Sequence, residues 1–178
     1  MPTFLLIILI IVGAPLLYWI YVAHVLGAPF FPTPLTAVDK MLALAKIKPG
    51  EKVYDLGAGD GRLIIKAAQE YHAQAIGFEI SPPVFVYAKI LNFIKKTPPD
   101  ARLIFKDSRS VDFSEADVVV IFLLPDPLKD FWKTKLEKEL RPGARVISYA
   151  FSIQGWQPTT VTKPDPEKNC GPIYFYQR

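Results

Sequence analysis

The first 38 residues contain no Asp, Glu, Lys or Arg, and the first charged side chain is Asp39. So long an uncharged start cannot give a surface helix with a solvated polar face. Cysteine is almost absent. Cys170 stands alone, which excludes an internal disulfide and agrees with a reducing compartment. Histidine is as scarce, with His24 in the apolar start and His72 further on. Two His and one Cys are too few for a dedicated zinc site, and no metal is expected. No internal repeat or low-complexity tract is visible.

What the start does contain is an apolar run, Phe4–Leu26. About 20 such residues cross a hydrocarbon core as a helix. Pro15 is tolerable there, and Tyr18, Trp19 and Tyr21 resemble an interfacial aromatic belt. A cleaved signal peptide fits less well, because no basic residue precedes the run and no clear cleavage site follows it. A buried core helix is the other alternative. Lys40, Lys46, Lys48 and Lys52 follow the run, so the positive-inside bias places the rest on the cytoplasmic side. The expectation is a single-pass membrane protein: an anchor at 1–26, a Pro-rich linker GAPFFPTP at 27–34, and one domain at 35–178. The net charge of +4 belongs to that domain. It suits anionic lipid headgroups, and no nucleic-acid motif accompanies it.

Beyond the linker, helix and strand patterns alternate. A helical stripe at 35–46 places Leu35, Val38, Met41, Leu42 and Ala45 on one face. Strands are expected at 52–56, 75–80, 102–105, 117–123 and 145–151. Helices are expected at 61–71, from Pro82 to about 96 with Ser81 as cap, and from the PDP at 125–127 to about 140. The VVVI within 117–123 suits a strand buried on both faces of a parallel sheet. Pieces at 159–162 and 173–176 could close the sheet as a hairpin. This alternation predicts a doubly wound α/β sheet, with its ligand at the carboxyl ends of the strands.

Those ends hold the chemistry. Residues 53–65 read VYDLGAGDGRLII: a strand, then Gly57, Gly59 and Gly61, then a helix. Such a turn lets backbone approach a nucleotide-like cofactor. The dinucleotide spacing is G-x-G-x-x-G, and here the third glycine comes one residue early. Glu79, ending the second strand, stands where an acid hydrogen-bonds a ribose diol. Asp55 and Asp60 would repel a pyrophosphate but attract the ammonium and sulfonium of S-adenosylmethionine (SAM). Opposite unit charges at about 4 Å attract by roughly 4 kcal/mol at an effective dielectric near 20. Asp107, after the third strand, can accept from the adenine amino group. Three acids after three successive strands select SAM.

With these residues in place, the chain resembles class I SAM-dependent methyltransferases. Within them it is most similar to the protein-lysine methyltransferases that include the mitochondrial ATP synthase c-subunit and adenine nucleotide translocase enzymes, with small prokaryotic relatives. The stretches carrying the likeness are FFPTPLTAVDKMLALAKIKPGEKVYDLGAGDGRLII (30–65), AIGFEI (75–80), VVVIFLLP (118–125), KLEKELRPGARVIS (135–148) and FSIQGWQP (151–158). The resemblance implies a seven-stranded Rossmann-like sheet ending in the C-terminal hairpin, with Pro32 and Thr33 folded over the cofactor. It also implies an N-terminal hydrophobic segment. It departs at Phe30–Phe31, where relatives often show Tyr–Val, and at Tyr149–Ala150, where some carry His–Glu.

The expected cofactor site is therefore Thr33, Asp55, Gly57, Gly59, Asp60, Gly61, Glu79, Ile80, Asp107 and Ser108. A lysine nucleophile must lose a proton, which costs roughly 4.6 kcal/mol at pH 7 from a pKa of about 10.4. An aromatic, apolar mouth lowers that cost by desolvation and holds methylated ammonium by cation–π contact. Phe30, Phe31, Leu124, Pro125, Tyr149 and Trp156 are the candidates for that mouth. Asp126 is the nearest acid, equally placed to cap the helix after it. No general base is assigned. The leading expectation is a membrane-anchored protein-lysine methyltransferase whose protein substrate lies at the membrane. A SAM enzyme acting on a lipid or small amphiphile, and a non-catalytic SAM-binding membrane protein, are the alternatives.

Overall fold

The computed structural model describes residues 3–21, 30–123 and 130–178. It divides into two compact units, Met1–Phe30 and Phe31–Arg178. The first contains helix α1 (Thr3–Tyr21), 19 residues with Pro15 inside. Phe4, Leu9, Ile11 and Leu17 are all exposed, and no polar face balances them.

The structure does not support the expected span. Among the described residues, no helix is long and apolar enough to cross a membrane. The expected run is Phe4–Leu26, and α1 is described over Thr3–Tyr21. Residues 22–26, and 27–29 of the linker, lie outside the described residues.

The second unit is built on a seven-stranded sheet. Its strands are β1 (Lys52–Asp55), β2 (Gln74–Glu79), β3 (Ala101–Phe105), β4 (Val118–Ile121), β5 (Arg145–Tyr149), β6 (Thr160–Val161) and β7 (Ile173–Gln177). They lie in the order β3-β2-β1-β4-β5-β7-β6. The first five are mutually parallel, and β7 runs antiparallel to both β5 and β6. The helices are α2 (Leu35–Ala45), α3 (Arg62–Tyr71), α4 (Pro82–Ile94) and α5 (Asp130–Glu139). The expected doubly wound sheet and its closing hairpin are both present. Ser81 precedes α4 as expected, but its side chain does not cap the helix.

Alternation along the strands sorts the core into two layers. Val118 and Val120 of β4 join α2 and α3, whose packed faces are rich in alanine. Val119 and Ile121 join an aromatic layer of Tyr54, Phe78, Phe113, Trp132 and Tyr176. All four β4 residues are buried, as a central strand requires. In α2, Val38, Met41, Leu42 and Ala45 are buried as expected, and Ala37 joins them. Leu35 does not: at the first turn of α2 it is exposed.

Candidate functional site

β1 and β4 sit side by side at the centre of the sheet, and the chain after β1 turns sharply into α3. Gly59 and Gly61 take positive φ, 55° and 83°, a backbone that only glycine adopts at little cost. The turn is fastened to β2 by the Ala58 N–H, which donates to the Phe78 carbonyl at 2.9 Å, and closed by Gly61 N–H to the Ala58 carbonyl at 2.8 Å. This close approach depends on a residue the sequence reading missed. A Cβ on Gly77 would lie 2.5 Å from the Ala58 Cβ, so β2 must carry glycine beneath the turn.

Asp55 ends β1 and is buried. Burial pushes its carboxyl up to about 7; the Gly57 N–H opposes the rise, and the neighbouring acids Glu79 and Asp60 add to it. Among the described residues, no Lys or Arg offsets this charge. A buried carboxylate in that position favours a cationic ligand.

Glu79 is likewise buried at the end of β2. Its two oxygens accept from the Gly59 N–H at 3.0 Å and the Ser81 N–H at 2.7 Å. Burial raises its pKa, while the N–H groups of Ser81, Gly59 and Ile80 hold the rise in check. Glu79 therefore braces the glycine turn from below. With three N–H donors on its two oxygens, the carboxylate keeps one acceptor site for a diol.

Two expected acids are committed elsewhere. Asp60 grips Arg62, with Nη2 at 2.7 Å and Nε at 3.0 Å. Burial pushes Asp60 up, but these bonds hold it below the usual carboxylate range. The fork of Arg62 also donates to the Thr33 carbonyl at 2.8 Å, which pins the segment before α2 against the glycine turn. Thr33 is thus held beside the glycine turn, by a residue not foreseen. Asp107 accepts from the Arg109 N–H and Nε at 2.9–3.0 Å, and the guanidinium lowers its pKa against the upward push of burial. In both cases an arginine two residues on reaches the acid locally. Neither is a bare anion awaiting a ligand. Ser108 is buried beside Asp107 at the start of a 3-10 turn.

The aromatic mouth is only partly as expected. Phe31 is 62 % exposed, in the segment that Arg62 pins. Trp156 is half-buried and stacks on Tyr176, ring centres 5.2 Å apart. Tyr149 is no part of an open mouth. Its ring packs edge-on against Phe122, and its hydroxyl accepts from the Gly171 N–H at 3.0 Å. It shares a strand face with buried Ile147, which turns it into the α2–α3 layer. Leu124, Pro125 and Asp126 lie outside the described residues. No cluster able to hold a metal occurs among the described residues.

The site is thus a glycine turn braced by Glu79, with a buried carboxylate that favours a cation. It fits SAM, whose ammonium and diol match Asp55 and Glu79. The sequence matches the ANTKMT methyltransferase domain family over residues 55–160. It is 42% identical to a protein-lysine N-methyltransferase of Saccharolobus islandicus (strain REY15A), over 88% of this chain and 95% of that one. It is 33% identical to the human ATP synthase c-subunit lysine N-methyltransferase over 75% of this chain, and that alignment spans 56% of the human protein. Among solved structures, an RNA methyltransferase from Salinibacter ruber in complex with S-adenosyl-L-homocysteine superposes with a TM-score of 0.74 at 31% identity. That match covers 83% of this chain and 93% of the other.

Proposed function

The chain belongs to the ANTKMT methyltransferase domain family and is a SAM-dependent protein-lysine methyltransferase; from that premise we propose that it methylates lysines of proteins at a membrane, with α1 as its tether and the catalytic unit on the cytoplasmic side. When bound, SAM supplies a methyl group on a sulfonium, displaced in line by the substrate amine. The chain's own residues position and desolvate. Asp55 meets the cofactor's ammonium, Glu79 its ribose diol, and Gly57–Gly61 let the backbone close on it. Arg62 holds Phe31 and Thr33 beside the turn. Phe31 and Trp156 offer aromatic faces to the approaching amine, which favour its neutral form by excluding water and hold the methylated product by cation–π contact.

The buried, cation-free carboxylate of Asp55 carries the cofactor part of this reading. The tether part rests on the uncharged run 4–26 and on the exposed apolar side chains of α1. Incubating the full chain with cell membranes and methyl-labelled SAM tests both. Label in protein, mapped to lysine by mass spectrometry, is expected. Label only in lipid or in RNA would overturn the lysine assignment; RNA is the case raised by the Salinibacter neighbour. Extraction of the full chain from membranes by carbonate would overturn the tether.

A further inference from the structure

α4 breaks the pattern of its neighbours. A surface helix turns its apolar stripe to the core and its charges to water. α3 does so, burying Leu63, Ile64, Ala67 and Ala68 and exposing Gln69 and Glu70. α4 buries Ala88 and turns Val86, Tyr87, Ile90, Phe93 and Ile94 outward, each between 49 % and 87 % exposed. At about 100° per residue, those five fall within an arc of roughly 120°, opposite Ala88. The face that should be polar is apolar, and Phe93 is its most exposed member.

The charges that the helix carries have one sign. Lys89 and Lys96 are exposed, no Asp or Glu occurs from residue 80 to 99, and Lys95 lies close enough to Asp60 to lower its pKa. We propose that the outward face of α4 seats on an anionic lipid bilayer surface, with its apolar side chains among the headgroups and its lysines on the phosphates. A helix with an apolar outer face flanked by exposed lysines, here Lys89 and Lys96, has the composition of an interfacial helix. The seat does not depend on whether α1 crosses the bilayer. It also has a direction. α4 starts at Pro82, just past Glu79, and the Asn92 Nδ2 lies 3.2 Å from where a Cβ on Gly61 would stand. The helix that touches lipid therefore rests on the glycine turn.

The test uses the full chain with Phe93→Cys carrying a nitroxide, compared with Gln69→Cys on the outer face of α3. Cys170 is buried and is checked by labelling the unsubstituted chain. Each protein is mixed with phosphatidylcholine vesicles, with and without phosphatidylglycerol. With phosphatidylglycerol, the label at 93 should lose access to a water-soluble relaxing agent several-fold and gain access to oxygen, while the label at 69 stays aqueous. Charge reversal at Lys89 and Lys96 should abolish the effect, with SAM binding kept as the check on folding. Equal water access at 93 and 69 in anionic vesicles would overturn the proposal. Protection at 93 that is the same in both vesicles, with spin–spin broadening, would assign the face to a second copy of the chain. Should the tether reading fail alone, high salt would release the whole protein, yet the low-salt protection at 93 would persist.

Discussion

If Asp55 meets the cofactor's ammonium, SAM affinity must depend on pH through that one carboxyl. In the free enzyme it titrates at about 7, chiefly because it is buried. The cation binds the ionised form, so the apparent Kd scales as one plus the ratio of protonated to ionised Asp55. Between pH 8 and pH 5 that factor grows about a hundredfold, some 2.7 kcal/mol. The linkage also has a sign in the free enzyme. A carboxyl raised above its ordinary value stabilises the fold most below pH 4, and that stability is lost as pH rises through about 7. Free enzyme should therefore melt lower at pH 8 than at pH 5, by an amount on the order of 2.7 kcal/mol at most, while SAM should raise the melting temperature most at pH 8. Titration calorimetry at pH 6, in two buffers of different ionisation enthalpy, should show about one proton released per SAM bound. Asp55→Asn should bind at pH 8 about as weakly as the parent does at pH 5, with a flat profile. A parent Kd that does not change from pH 5 to pH 8 would refute the reasoning.

Three further outcomes follow from the same geometry. Glu79→Ala should weaken SAM binding at least tenfold, about 1.4 kcal/mol by calorimetry, because a diol contact goes and the Gly59 and Ser81 N–H groups lose their acceptor. Gly77→Ala drives a methyl into Ala58 and should cost about 1–3 kcal/mol in denaturant unfolding, with SAM affinity falling alongside. Arg62→Ala frees Thr33 and strands the charge of Asp60; the KM for SAM should rise several-fold in steady-state assays, more than kcat falls.

The sheet was legible because short apolar strand runs, VVVI of β4 most plainly, alternate with helical stripes between turn residues. Its ligand end was legible because three glycines and Glu79 are local signals on consecutive elements. What escaped was long-range. Arg62 stands next to the glycine motif in plain view, but its role depends on the Thr33 carbonyl, 29 residues earlier. Gly77 looks like an ordinary interruption of a strand until the turn is seen lying on it. Asp60 and Asp107 each have an arginine two residues on, close enough to claim the carboxylate, a local pairing that the strand-end pattern does not display. Tyr149 could have been placed correctly from alternation, since it shares a face with Ile147; its aromatic character drew it wrongly to the mouth. The outward apolar face of α4 was equally visible at helical spacing in residues 86–94, and it was absorbed into an unremarked helix.

The two layers of the core differ optically as well as chemically. Of the three tryptophans, Trp132 and Trp156 both belong to the aromatic layer, and Trp19 belongs to the other unit. The alanine-rich layer, which carries α2 and α3, contains none. Tryptophan emission from the catalytic unit is therefore a gauge of one side of the sheet. If the α2–α3 side loosened first, fluorescence would stay silent while amide exchange in α3 accelerated, and the two signals would separate.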